Sequence, residues 1–205
     1  MKIKNDDSQL IERIQDIKKR LGEELVILAH HYQRKEIVDL SDYRGDSFGV
    51  SQKASLNTAA KYIVFCGVHF MAESAAILAQ PHQTVQLPDM NAGCWMAEMA
   101  DSYIVLNAWK KAVSITGADA VMPMVYMNAD AEIKAFCGEN GGIICTSSNA
   151  AKAFEWAFKR REKIFFFPDQ HLGRNTGNQM AIPPEEMILW DPERKLGGNT
   201  RDQIK

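Results

Sequence analysis

The chain has 205 residues, 46% of them hydrophobic and 24% charged, with a formal net charge of -2 at pH 7. That length gives room for one large or two small domains whose cores need no disulfide staples. So balanced a charge gives no electrostatic reason to expect nucleic acid or an anionic membrane as partner, and no run approaches the roughly 18 apolar residues of a bilayer span.

From the N-terminus, Met1 to Arg20 reads as a charged amphipathic helix without an apolar h-region, hence neither signal peptide nor anchor. The four cysteines, at 66, 94, 137 and 145, form no C-x-x-C pair. Both features lead us to expect a cytoplasmic protein with reduced thiols. Short apolar runs then alternate with helical stretches, the signature of βα units on a mainly parallel sheet. Strands are expected at Leu25–Ala29, Tyr62–Cys66, Thr84–Leu87, Ala120–Val125, Gly142–Cys145, Ile164–Phe167 and Met187–Trp190. Helices are expected at Ser47–Asn57, Met71–Ala79, Tyr103–Thr116, Ala129–Phe136 and Asn149–Arg160.

Polar residues collect where these elements meet. His30-His31-Tyr32-Gln33 follows the first strand, a turn richer in imidazole and phenol than packing requires. Gly45-Asp46-Ser47 and Thr146-Ser147-Ser148-Asn149 each open a helix; routine N-capping explains both, and anion binding uses the same helix end. His69 and Glu73, four apart, share a helix face but lack the second histidine of a zinc site. Cys94 follows Gly93 in a loop entering a helix, where a thiol tends toward thiolate. Locally, metal ligand, nucleophile and inert cysteine all remain open for it. Cys66, Cys137 and Cys145 lie in apolar runs or close a helix and read as buried structural thiols. Lys159-Arg160-Arg161 reads as a solvated helix end. Asp169 to Arg174 is expected as a polar, ligand-facing loop, and Gly197 to Thr200 as a turn. Neither phosphate-loop fingerprint occurs.

The pattern repeats. His30 and Tyr126, each closing a strand, lie 96 residues apart, as do Glu36 and Glu132; Ser47 and Ser147 lie 100 apart, and His69 and His171 lie 102 apart. The kept order predicts two related three-layer α/β/α domains with mainly parallel sheets, residues 1–93 and 94–205. In such sheets ligands sit beyond the carboxyl ends of the strands, so an anionic ligand is expected there.

Taken together, the motifs resemble the quinolinate synthase family. The matching pieces are Leu28 to Gln33, Gly45-Asp46-Ser47, Val64 to Glu73 with its Gly-Val-His-Phe-Met-Ala-Glu phrase, Leu87-Pro88-Asp89 to Cys94, Tyr126-Met127-Asn128, Thr146 to Ala150 and Pro168 to Arg174. The resemblance implies a threefold pseudosymmetric enzyme around one [4Fe-4S] cluster held by three cysteines. Its open iron acts as a Lewis acid while iminoaspartate and dihydroxyacetone phosphate condense to quinolinate in NAD biosynthesis. It implies Cys94 as a cluster ligand, His30 and Tyr32 as catalytic residues, and His30, Ser47, Tyr126, Met127, Asn128 and Ser147 as substrate-binding residues. An oxidase supplying iminoaspartate is the implied partner. Relatives often carry Val where this chain has Met127, which matters little if that position offers only backbone. The segments bearing the other two cysteine ligands do not occur in these 205 residues, so the chain alone is expected to be inactive. The alternatives are a cluster-free two-domain module that binds a dicarboxylate or phosphate and, more remotely, a thiol hydrolase using Cys94.

Overall fold

The structure, a computed structural model, describes residues 7–205. Residues 1–6 of the expected N-terminal helix lie outside the described residues. The backbone divides into two compact units, residues 1–93 and 94–205.

The first unit begins with α1 (Asp7–Leu21), whose Lys18 ammonium donates to the Leu40 carbonyl at 2.6 Å and to Asp42 at 2.7 Å. Then come β1 (Leu25–His30), α2 (Lys35–Leu40), β2 (Tyr43–Gly45), α3 (Ser47–Leu56), β3 (Tyr62–Cys66), α4 (His69–Leu78) and β4 (Thr84–Gln86). The four strands form one parallel sheet in the order β2-β1-β3-β4. β1 is buried along nearly its whole length, as a strand covered on both faces must be, and this is why it reads as an unbroken apolar run. α3 and α4 are tied by Ser51, whose hydroxyl donates to the carbonyls of Ser47 at 2.9 Å and Met71 at 3.4 Å.

The second unit holds α5 (Trp95–Glu98), α6 (Ser102–Thr116), β5 (Val121–Tyr126), α7 (Ala131–Glu139), β6 (Ile143–Cys145), α8 (Ala150–Phe158), β7 (Lys163–Phe167), α9 (Gln170–Gln179) and α10 (Arg201–Ile204). Its parallel sheet runs β6-β5-β7. Successive side chains of β5 point to opposite faces. Val125 packs with Val105, Ile133 and Cys137 of α6 and α7. Met122 and Met124 pack with Ala153, Phe154 and Ala157 of α8 and with Leu172 of α9. Helix, sheet and helix thus form three layers, and the fold class is α/β.

The two sheets share an order and a register. His30 pairs with Gly45 and Ala29 with Cys66 in the first; Tyr126 pairs with Cys145 and Val125 with Phe167 in the second. Even the bond just past the strand recurs, His31 N–H to the Gly45 carbonyl at 3.0 Å and Met127 N–H to the Cys145 carbonyl at 2.8 Å.

Two expectations fail. Met187–Trp190 forms no strand: the Met187 carbonyl accepts from Arg174 and the Leu189 carbonyl from the Asn199 amide at 2.8 Å. With side chains meeting its polar backbone, the segment has less need of a ladder. The stretch from Asp169 is likewise no loop but the start of α9, capped by the Asp169 carboxylate, which accepts from the N–H groups of His171 and Leu172.

Candidate functional site

In the first unit the expected residues gather at the carboxyl ends of β1 and β2. His30, last residue of β1, is buried at 6% exposure. Its ring contacts those of His31 and Tyr32, at centroid distances of 4.3 and 3.8 Å. The Tyr32 N–H donates to His30 Nδ1 at 3.3 Å, and the exposed Tyr32 directs its hydroxyl to the Met71 sulfur at 3.9 Å. Burial first, and then the neighbouring His31, hold His30 down to about 4 against the opposite pull of Asp46. At neutral pH His30 is therefore an uncharged imidazole, able to donate or accept a hydrogen bond but a poor proton acceptor. Ser47, half-buried, opens α3 immediately after Asp46, whose carboxylate caps that helix by accepting from the Gly49 N–H at 2.7 Å.

In the second unit the equivalent strand end carries Tyr126-Met127-Asn128. The half-buried Tyr126 hydroxyl bonds with Ser147; burial raises its pKa above the usual phenol value, that bond opposes the rise, and Cys145, Cys94 and Asp169 nearby reinforce it. The phenol keeps its proton throughout the physiological range. Met127 is 5% exposed, so its side chain belongs to the core and only its backbone is presented. The Asn128 amide donates to the Cys94 sulfur at 3.8 Å. Thus Tyr126, Asn128, Ser147 and Cys94 are brought together within one unit, as His30, Tyr32 and Ser47 are within the other.

Cys94 is half-buried and stands at the N-cap of α5, a helix of only four residues. A single turn aligns few peptide dipoles, so the helix end is a weaker influence on the sulfur than the sequence suggested. Two of the other thiols differ sharply from it, whereas Cys66, expected to be buried, is half-buried as Cys94 is. Cys137 and Cys145 are buried, and burial pushes both up to about 12; burial also raises Cys66. Cys137 donates to the Pro123 carbonyl at 3.3 Å. The Cys137 and Cys145 side chains are packed into the core of the second unit, Cys137 on one face of the sheet and Cys145 on the other, and so read as structural. Cys94 is a partly open thiol beside a hydrogen-bonding amide, chemistry compatible with a metal-ligating sulfur, and a cubane cluster needs several such sulfurs.

Two residues of these clusters had no role from sequence. His31 donates from Nδ1 to the Gly45 carbonyl at 3.1 Å, and Asp169, 9% exposed, joins the Tyr126 environment from the end of β7. The His-His doublet and the Pro-Asp pair before a helix were the available signals.

The profile described as Quinolinate synthetase A protein matches residues 12–197. The chain is 54% identical to a quinolinate synthase of Acidobacterium capsulatum, over 97% of its own length and 53% of the relative's. Against a quinolinate synthase of Corynebacterium glutamicum it is 49% identical over 97% and 50% of the two lengths, and against one of Listeria monocytogenes 50% over 95% and 54%. It spans about half the length of the curated relatives it matches.

Proposed function

The chain belongs to the quinolinate synthetase A family, and we propose that it forms part of a quinolinate synthase acting in NAD biosynthesis. The reaction condenses iminoaspartate with dihydroxyacetone phosphate and releases phosphate and water, the iminoaspartate being supplied by an oxidase. The observation that carries this reading is the pairing of the Asn128 amide with the Cys94 sulfur, beside Tyr126 and Ser147. It sets a partly open thiol among hydrogen-bonding groups, in a chain about half identical to named synthases.

Cys94 is the residue that would hold a [4Fe-4S] cluster, with the remaining ligands coming from residues outside this sequence. Bound there, such a cluster would supply Lewis acidity toward the substrates. The chain's own residues bind and orient. His30 and Tyr126, both uncharged at neutral pH, offer hydrogen bonds to carboxylate, carbonyl or phosphate oxygens; Ser47, Ser147 and Asn128 add donors, and Met127 contributes backbone. Tyr32 stands beside His30 as the second catalytic residue.

The test is a chimaera in which residues 1–205 replace the matching half of the Acidobacterium capsulatum relative. Reconstituted anaerobically with iron and sulfide, it is expected to show thiolate-to-iron charge-transfer absorbance and to make quinolinate. Cys94→Ser is expected to abolish both. A chimaera that holds its cluster yet makes no quinolinate overturns the reading. A chimaera that takes up no iron and makes no quinolinate, yet binds a dicarboxylate tightly, would move the reading to a cluster-free module.

A further inference from the structure

The turn after β1 carries two adjacent histidines whose ring nitrogens have different partners. His30 Nδ1 receives the Tyr32 backbone N–H at 3.3 Å. An N–H can only donate, so Nδ1 holds a lone pair there and the proton of the neutral ring is on Nε2. His31 Nδ1 faces the Gly45 carbonyl at 3.1 Å. A carbonyl can only accept, so this Nδ1 carries the proton. The same carbonyl accepts the His31 backbone N–H at 3.0 Å. Gly45 O thus holds His31 by two bonds, and Gly45 is itself the ladder partner of His30. The fixed His31 ring lies against His30 at 4.3 Å, and the Tyr32 ring contacts His30 at 3.8 Å.

We infer that His31 is a positioning residue, holding the His30 ring in place by contact while the Tyr32 N–H fixes its tautomer, so that His30 presents an Nε2–H donor to an anionic oxygen of the ligand, whether carboxylate or phosphate. Resting on the reading of His30 as substrate-binding, this narrows its role: His30 recognises an acceptor and does not remove a proton. Its burial agrees, since a buried imidazole held down to about 4 stays neutral while it donates.

The conservative replacement follows from covalent geometry. The Nδ2 of asparagine is attached to Cγ as the Nδ1 of histidine is, so His31→Asn keeps a donor for the Gly45 carbonyl, whereas His31→Leu keeps none. The 205-residue chain, labelled with 15N-histidine, is read by long-range proton–nitrogen correlation at pH 7.5, with His30→Gln and His31→Asn giving the assignments. Expected are a protonated Nε2 and unprotonated Nδ1 for His30, and the reverse for His31. His31→Asn preserves the His30 signals and their response to anions; His31→Leu keeps the tautomer that the Tyr32 N–H sets but frees the ring to turn, and shifts the His30 signals. Inorganic phosphate and malate are titrated separately, each distinguishing one source of anionic oxygen. At least one shifts the His30 Nε2 proton, and His31→Leu weakens that ligand about tenfold, the loss of one hydrogen bond to a charged group.

A His30 proton on Nδ1, averaged tautomers in the unsubstituted chain, or equal effects of His31→Asn and His31→Leu overturn the inference. So does the absence of any response at His30 to both anions. If His31→Leu does not fold, the unsubstituted chain and His31→Asn still decide the tautomers. An inactive chimaera with the tautomers as stated sinks the synthase reading alone.

Discussion

Just before β1 first pairs with β2, and β5 with β6, the two units treat one backbone position in opposite ways. In the first unit the Ile27 N–H lies beyond the reach of β2 and donates to the Asp42 carboxylate at 2.8 Å, while the Asp42 N–H returns a bond of 2.8 Å to the Ile27 carbonyl. At the equivalent places, 96 and 100 residues later, the second unit has Pro123 and Gly142. Proline has no N–H to satisfy, so no carboxylate is needed, and a side chain would not fit. A Cβ on Gly142 would stand 2.2 Å from the Pro123 carbonyl and 2.6 Å from the Cys137 sulfur. The same backbone requirement is met once by adding an acceptor and once by removing the donor. A proline inside a central strand, ordinarily evidence against that strand, is tolerated because β6 pairs only from Met124 onward.

The largest expected effect breaks the second solution. Gly142→Ala forces the Pro123 carbonyl aside and is expected to cost about 3 kcal/mol in urea unfolding, at the upper end for overpacking. An equal loss from Asp42→Ala would show that the two sites are not the distinct solutions described. Acid separates the units next. His30 is depressed to about 4 from an unfolded value near 6.5. Its stabilising contribution is full above 6.5 and is lost as pH falls toward 4, by up to about 3 kcal/mol. His30→Gln should flatten this slope; an unchanged slope would place the acid sensitivity elsewhere. Tyr126, at the matching strand end, acts at the other extreme. Its raised pKa gives a contribution intact below about 10 and lost as pH rises further. Tyr126→Phe should therefore weaken the alkaline loss and leave the acid limb alone.

Asp42→Ala strands the Ile27 N–H and is expected to cost about 2 kcal/mol, with Asp42→Asn retaining an acceptor and losing less. The smallest effect concerns the helix starts. Asp46→Ala removes the cap of α3 and should cost about 1 kcal/mol. Asn149 instead accepts from the Thr146 N–H at 2.7 Å and places no side-chain cap on α8, so Asn149→Ala should cost less by the same measurement.

The sequence revealed what repeated physics makes repetitive. Leu25–His30 reads directly because both its faces demand apolar residues, and Tyr62–Cys66 because its apolar run is kept although every second residue is only half-buried. β2 escaped notice: Tyr43-Arg44-Gly45 pairs with β1 alone, and its side chains are largely exposed. α9 was hidden by Gly173 and Gly177 in a polar stretch. Gly177 leaves room for Met187, whose sulfur would lie 2.4 Å from an added Cβ. Met187–Trp190 misled in the other direction, apolar enough to suggest a strand but served by the side chains of Arg174 and Asn199. Among candidate site residues, motif order singled out Cys94 and Tyr126. It could not reveal the Asn128 contact with sulfur or the two hydrogen bonds on Gly45, which arise only when separate strand ends are brought side by side.

The slow growth of the repeat spacing marks where the architecture absorbs extra chain. Spacing is 96 residues at β1 and β5 and becomes 100 at β2 and β6, and α7 has nine residues where α2 has six. The additional length enters ahead of β6, at the end of the strands remote from His30 and Tyr126. A reporter peptide grafted at Asn140–Gly141 would thus extend a seam already lengthened once, leaving the strand-end groups in step.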